Sequence, residues 1–503
     1  MRLRRTALLL AACVVGVPLA WSIVTKVGRS PPSRVEEAAV PAEPRIVATR
    51  AQPSVAERFE PAMPAAAVPA SDPPPPPASA QIAPEDEPVQ EQESVDPVIV
   101  TPRPGSAAGG AAKRRGLVIL QIGDSHTSAD FLTGELRRRL QARYGRGGPG
   151  YITAGKPHIG VRSSSLKITA SSGWSYRSLQ RPEAKPAEFW LAGYSAIASA
   201  PGETMSFASE RTLTFDTIEI EAIAQPGGGE IEIRLDGKVE AVQDLAARRL
   251  EPIIIRLKPG RAATERVREI AIATTNAGTV NLGSVAIYNS GSGVTYNSIG
   301  YVGATVGLVN KFDKKLFASA LQRIEPHIVV LAFGTNEASN EGLELTAYGR
   351  SYAHVIERIR EVLPAAVIVV VSPPDFNELP AQCRNGKAAE AACRRAGGPS
   401  TTGQNESSGA VECAWRTPGK LQQVRDVQRD IAKRYDLMYW NWASIMPREC
   451  GAHAWFTSTP QLMAKDHVHF TIEGYKKSAD QFLNTLIPII EKVRVGANVI
   501  PNN

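Results

Sequence analysis

No run of lysines and arginines interleaved with aromatic side chains occurs in the sequence, so its formal net charge of +7 does not point to nucleic acid. The charge fits an anionic polymer and equally a solvated surface. Histidine and cysteine are scarce, at seven and five in 503 residues, and no spacing gathers three or four metal ligands. His467 and His469 with Asp466 are the nearest to such a set, and they lack further ligands. Between residues 27 and 112 large apolar side chains are too few to form a core, which excludes a folded domain there.

The opening "MRLRRTALLLAACVVGVPLAWSIVTK" sets three arginines before an apolar run from Ala7 to Val24. It reads as a secretory signal or an uncleaved membrane anchor over residues 1–26, and either exports the rest of the chain. Its length and the want of a small-x-small cleavage site favour the anchor, which would hold the chain to the inner membrane with a periplasmic body. "LAAC", ending at Cys13, resembles a lipoprotein box but sits inside the apolar run rather than after it. The Pro/Ala/Glu-rich residues 27–112 read as a disordered linker, with a random-coil span of roughly 50 Å. Export gives the other four cysteines, Cys383, Cys393, Cys413 and Cys450, an oxidising setting, so they read as two disulfides with three pairings open.

"LVILQIGD" from Leu117 is a continuous apolar run, as for a strand buried on both faces of a parallel sheet. Leu132, Leu136 and Leu140 then recur every four residues, an amphipathic helix. Residues 160–292 lose that period and alternate instead, as in "TLTFDTIEIEAIA" and "GEIEIRLDG", which predicts an inserted antiparallel β-sandwich, either a carbohydrate binder or a structural wall. Helix and strand then take turns again through "HIVVLAFGT", "AVIVVVSPP" and "LMYWNW" to a last helix after Thr471. The fold class is therefore α/β, a three-layer α/β/α domain with a parallel sheet made of residues 113–159 and 293–495, carrying the sandwich and a cysteine-bearing insertion at 377–418.

Polar groups collect where this alternation ends its strands: "GDSH" at 123–126, "FGTNEA" at 333–338 and "DHVHF" at 466–470. A serine nucleophile needs an imidazole to take its proton, a carboxylate to hold the imidazole, and donors for the oxyanion. Ser125, His469 and Asp466 supply the first three, with Asp466 three residues before His469 so that a turn lets them meet. The G-x-S-x-G elbow of α/β-hydrolases is absent, because Thr127 stands where its second glycine would be. Ser125 alone could be only a helix cap, and Asn336 alone a turn residue. The six tryptophans beyond the leader read as core, with Trp455 the one nearest the Asp-His loop, and His126 reads as a packing neighbour.

These blocks resemble the SGNH (GDSL-type) hydrolases, named for a Ser, a Gly, an Asn and a His in separate blocks. "GDSH" matches the first block at Ser125, "FGTNE" the third at Asn336, and "DHVHF" the D-x-x-H of the fifth at Asp466 and His469. "SIGYVGA" offers Gly300 and Gly303 for the second block, with Gly303 chosen because the family glycine closes its short block. "GRGGPGY", "YNSIGYVGA" and "DHVHFTIEGY" sharpen the likeness to peptidoglycan O-acetylesterases, in which a sandwich resembling a carbohydrate-binding module is inserted between the first two blocks. The resemblance implies a serine esterase releasing acetate from an O-acetylated glycan, the C6 oxygen of N-acetylmuramic acid in peptidoglycan being the expected position. It implies Ser125, His469 and Asp466 as the triad, Ser125, Gly303 and Asn336 as the oxyanion hole, and no metal or organic cofactor. The alternatives are an acyltransferase, an esterase of another acylated polysaccharide or lipid, and a binding protein on a degenerate scaffold.

Overall fold

A computed structural model of the chain describes residues 96–100, 103–104, 116–260, 267–291, 293–380, 383, 393–394, 413–448 and 450–496. The leader (residues 1–26), residues 27–95 of the linker and most of the 377–418 insertion lie outside the described residues.

Five strands form the parallel sheet: β1 (Leu117–Gly123), β2 (Val294–Gly300), β3 (Ile328–Ala332), β4 (Val367–Val371) and β5 (Met438–Trp440), side by side in the order β2-β1-β3-β4-β5. Every residue of β1 is buried because both faces are covered. Val118, Leu120 and Ile122 enter one apolar cluster, while Leu117 and Ile119 enter the other, the period of two of a strand. The first face is covered by α3 (Lys314–Ile324), α5 (Leu345–Val362) and α6 (Leu421–Arg434), the second by α2 (Phe131–Tyr144) and α7 (Ile472–Gly496). Two short helices, α1 (Ser125–Ser128) and α4 (Thr335–Ala338), follow β1 and β3 directly. The chain leaves β1 for β2 on one side and then crosses to β3 on the other, so the crevice of this sheet lies between the carboxyl ends of β1 and β3.

The inserted unit is a sandwich of two sheets. One contains the strands Glu251–Leu257, Thr217–Ala224, Val280–Tyr288, Tyr194–Ala198 and Ser175–Ser178; the other Lys238–Asp244, Glu230–Leu235, Glu269–Thr274, Thr204–Ala208 and Lys167–Ala170. Gly150–Thr153 pairs with Val280–Tyr288, so the sandwich takes in a strand ahead of residue 160. Val98–Val100 adds a parallel edge to Glu251–Leu257, and Arg103–Pro104 pairs with Lys238–Asp244. These last two strands fall in the compositional linker, which therefore stops being a tether before residue 98.

The strand Thr217–Ala224, "TIEIEAIA", is buried along its whole length because one face lines the sandwich core and the other meets the α/β unit. Its two glutamates are tolerated there by Arg323 of α3, which pairs with Glu219 at 2.9 Å and also with Glu221. Arg256 adds a second cation to Glu219 at 2.8 Å. Cys383 bonds to Cys413 within the insertion and Cys393 of the insertion to Cys450 beyond it, one of the three pairings left open above.

Candidate active site

The three polar blocks meet at the carboxyl ends of β1 and β3. Asp124 caps α1, accepting from the N–H of His126 at 3.0 Å, and Ser125 is the first helical residue. Helix capping at this position thus belongs to Asp124, which leaves the Ser125 hydroxyl free to face His469. His469 Nε2 lies 2.9 Å from Ser125 Oγ, and His469 Nδ1 lies 2.7 Å from Asp466 Oδ2. A carboxylate can only accept, so Nδ1 carries the proton and Nε2 accepts from the serine hydroxyl. Asp466 is held in turn by its own loop, its Oδ1 accepting from the N–H groups of Val468 at 3.0 Å and His469 at 2.9 Å.

The electrostatics follow from these contacts. Burial alone would lower the His469 pKa, but the hydrogen bond and charge of Asp466 outweigh it and raise it above 6.5. Burial presses the Asp466 carboxyl upward, and the hydrogen bonds from His469 and the loop N–H groups bring it below 3.8 instead.

Asn336, at the start of α4, donates from Nδ2 to the carbonyl of Ala304 at 2.8 Å, which fixes its amide while leaving a second N–H. The two glycines of the second block have different reasons to be glycine. Gly300 ends β2 against α1, where a Cβ would stand 2.0 Å from Ser128 N. Gly303 has φ +72 and open space around it, so only its backbone conformation demands glycine. Among the described residues no backbone carbonyl accepts from the N–H of Ser125 or of Gly303. Two unclaimed backbone donors and a fixed amide are the equipment of an oxyanion hole.

Three further residues support this arrangement and carried no individual signal in the sequence. Asp124 also accepts from Thr335, so it ties the first block to the third; burial raises its pKa to about 6. Glu337 accepts from the N–H of Val306 at 2.7 Å, so α4 grips the 304–306 segment twice, through Asn336 and Glu337, and burial lifts its pKa to about 7. Tyr475 of α7 lies 3.0 Å from His126 Nδ1.

The remaining candidates fall elsewhere. His467 does not converge with Asp466 as a ligand: it is fully buried, stacks on Trp415 with centroids 3.6 Å apart, and contacts His453 at 3.2 Å. Trp455 is buried against Phe470, so it is core and offers no face to a sugar.

Residues 281–477 match the GDSL-like Lipase/Acylhydrolase family, a span that holds Gly303, Asn336, Asp466 and His469 and begins after Ser125. The fold is similar to that of a solved peptidoglycan O-acetylesterase, with a TM-score of 0.56 and 23% identity over 75% of this chain and 92% of that one. A family two carbohydrate esterase from Cellvibrio japonicus matches at 12% identity over 68% of this chain and 98% of its own, with a TM-score of 0.25. No curated protein matches. The family match over residues 281–477 and the similarity in fold both point toward the SGNH-type hydrolases, the fold resembling that of a peptidoglycan O-acetylesterase.

Proposed function

We propose that the protein is a serine esterase that removes O-acetyl groups from a cell-wall glycan, with O-acetylated N-acetylmuramic acid of peptidoglycan as its substrate. One observation carries the reading: Ser125, His469 and Asp466 form an unbroken chain of hydrogen bonds at 2.9 and 2.7 Å, and no carbonyl among the described residues claims the Ser125 N–H.

In the reaction His469 Nε2 takes the hydroxyl proton as Ser125 Oγ bonds to the acetyl carbonyl carbon. The oxyanion lies among the N–H groups of Ser125 and Gly303 and the Asn336 amide, each worth about 100- to 1000-fold in rate. Collapse breaks the bond to the sugar oxygen, which leaves with the proton from His469. Water, deprotonated by the same imidazole, then releases acetate from Ser125. Asp466 stabilises the imidazolium formed in both halves. The glycan class rests on the sequence blocks shared with peptidoglycan O-acetylesterases and on the similarity in fold. The leader would keep the enzyme at the outer face of the inner membrane, in reach of that polymer.

The test is acetate release from O-acetylated peptidoglycan, with Ser125→Ala beside the unaltered protein. Release that the substitution abolishes supports the reading. Hydrolysis of a small acetyl ester with no release from the polymer would keep the machinery and reject the substrate.

A further inference from the structure

Asp466 and His469 stand on one loop, closed at its base where the Ala464 N–H donates to the carbonyl of His469 at 2.8 Å. The hydrogen bonds of Asp466 stay within this loop, so they set its shape and not its place. Among the described residues, the hydrogen bonds that tie 464–469 to other parts of the chain, apart from that of His469 to Ser125, are made by His467. Its carbonyl accepts from the N–H of Asn377 at 2.9 Å, and its Nε2 lies 3.2 Å from His453 Nδ1.

The ring of His467 is fully buried on a backbone with φ +55, a conformation that glycine adopts more readily. Contacts of the ring hold it there. Trp415 lies flat on it, with centroids 3.6 Å and planes 17° apart, and Phe456 approaches to 4.5 Å. His467 Nδ1 lies 3.2 Å from the carbonyl of Lys465, which can only accept, so Nδ1 carries the proton. Burial takes the pKa of the ring down to about 4, which leaves Nε2 bare at neutral pH to accept from His453.

This cage has two parts from separate stretches of chain, and a disulfide joins them. Trp415 belongs to the insertion, where it is the register partner of Cys393 in a short parallel pairing. His453 and Phe456 belong to the helix Gly451–Phe456, which Cys450 immediately precedes. The Cys393–Cys450 bond therefore fastens the Trp415 side to the His453 side. Cys383, bonded to Cys413, packs with Trp415 and Leu379 in one apolar cluster and steadies the first side.

We propose that His467 is a positioning residue of the triad: its ring, seated in a cage that the Cys393–Cys450 bond closes, sets the loop that aims Asp466 at His469 and His469 at Ser125. The kinetic part of its test rests on the esterase reading above.

His467→Gly removes the ring and suits the backbone angle. With p-nitrophenyl acetate it is expected to lower kcat at least tenfold with KM within twofold, since misplacing a catalytic group by about 1 Å costs on the order of 100-fold. The midpoint of the pH–rate rise moves to lower pH as Asp466 loosens from His469. The double variant Cys393→Ala with Cys450→Ala opens the cage without touching the loop, and a fall in kcat of at least threefold is expected. Each variant is assayed well below its own melting temperature. A lowered melting temperature with kcat and pH midpoint unchanged in His467→Gly overturns the proposal and leaves the ring as packing. The proton on His469 Nδ1 gives a reading independent of catalysis. Its downfield NMR resonance, assigned by its absence from His469→Ala, is expected to broaden or vanish in His467→Gly, and an unchanged resonance overturns the proposal even where no ester is cleaved. Ser125→Ala keeping the unaltered rate rejects the esterase reading, while the resonance still decides the role of His467.

Discussion

His126 and His469 have ring centres 5.2 Å apart, and the same protein interior drives their protons in opposite directions. Both are buried deeply enough for desolvation to favour the neutral ring. His126 faces the hydroxyl of Tyr475, a neutral partner, and burial followed by the charge of His469 takes its pKa down to about 3. His469 faces a carboxylate and moves up. Burial makes an inert imidazole, and one added carboxylate turns the neighbouring one into a base.

The largest break in this comparison is His469→Ala, expected to lower kcat for a small acetyl ester by about 10⁵- to 10⁶-fold. A loss under tenfold would mean that another group, His126 included, serves as base.

Asp466→Asn separates the carboxylate from the ring it raises. A fall of about 10⁴-fold in kcat is expected. The rate requires neutral His469, whose raised pKa places the rise of kcat/KM above pH 6.5. Without the carboxylate the midpoint of that rise moves to lower pH, and a pH profile of the residual activity checks the direction.

The buried neutral ring is sharpened by stability. His126 has a folded pKa of about 3 against 6.5 for a free imidazole, so between those values the unfolded chain binds the extra proton and stability falls as pH falls. From pH 7 to 4.5 the unaltered protein is expected to lose about 2–3 kcal/mol more than His126→Gln, measured by denaturant unfolding at both pH values.

The smallest effect is that of His126→Gln on catalysis: less than a tenfold change in kcat, with the pH midpoint in place. A displaced midpoint would show that His126 shares the titration assigned to His469.

The parts legible from sequence were those in which residue type and position obey one local rule. β1, β3 and β4 read as apolar runs because each is buried on both faces, and the sandwich read as alternation because its strands show one face to its core. Glu219 and Glu221 keep that alternation while being buried, since their partner Arg323 arrives from a helix about a hundred residues away. Val98–Val100 is three residues long, too short to show any period, and only its pairing with Ile253, Ile254 and Ile255 makes it a strand. Ser125, Asn336, Asp466 and His469 were legible because motif spacing reports them; the structure joins Ser125, Asp466 and His469 by hydrogen bonds and ties Asn336 to Ala304. Asp124, Glu337 and Tyr475 were not, because their jobs are contacts with other segments. Gly300 and Gly303 are glycine for different reasons, the backbone of Ser128 beside one and a positive φ at the other, which spacing does not encode.

The order of the parallel sheet also sets a schedule. β1 pairs with β2, from which all of the sandwich except its two short edge strands separates it, and with β3, which lies further along still. Ser125 and His469 are 344 positions apart. At a synthesis rate of roughly 5–20 residues per second, about 20 to 70 seconds pass between the birth of the serine and that of its base. The hydrolytic centre is thus among the last features of the molecule to come into being, and a truncated chain would hold a serine with no base to activate it.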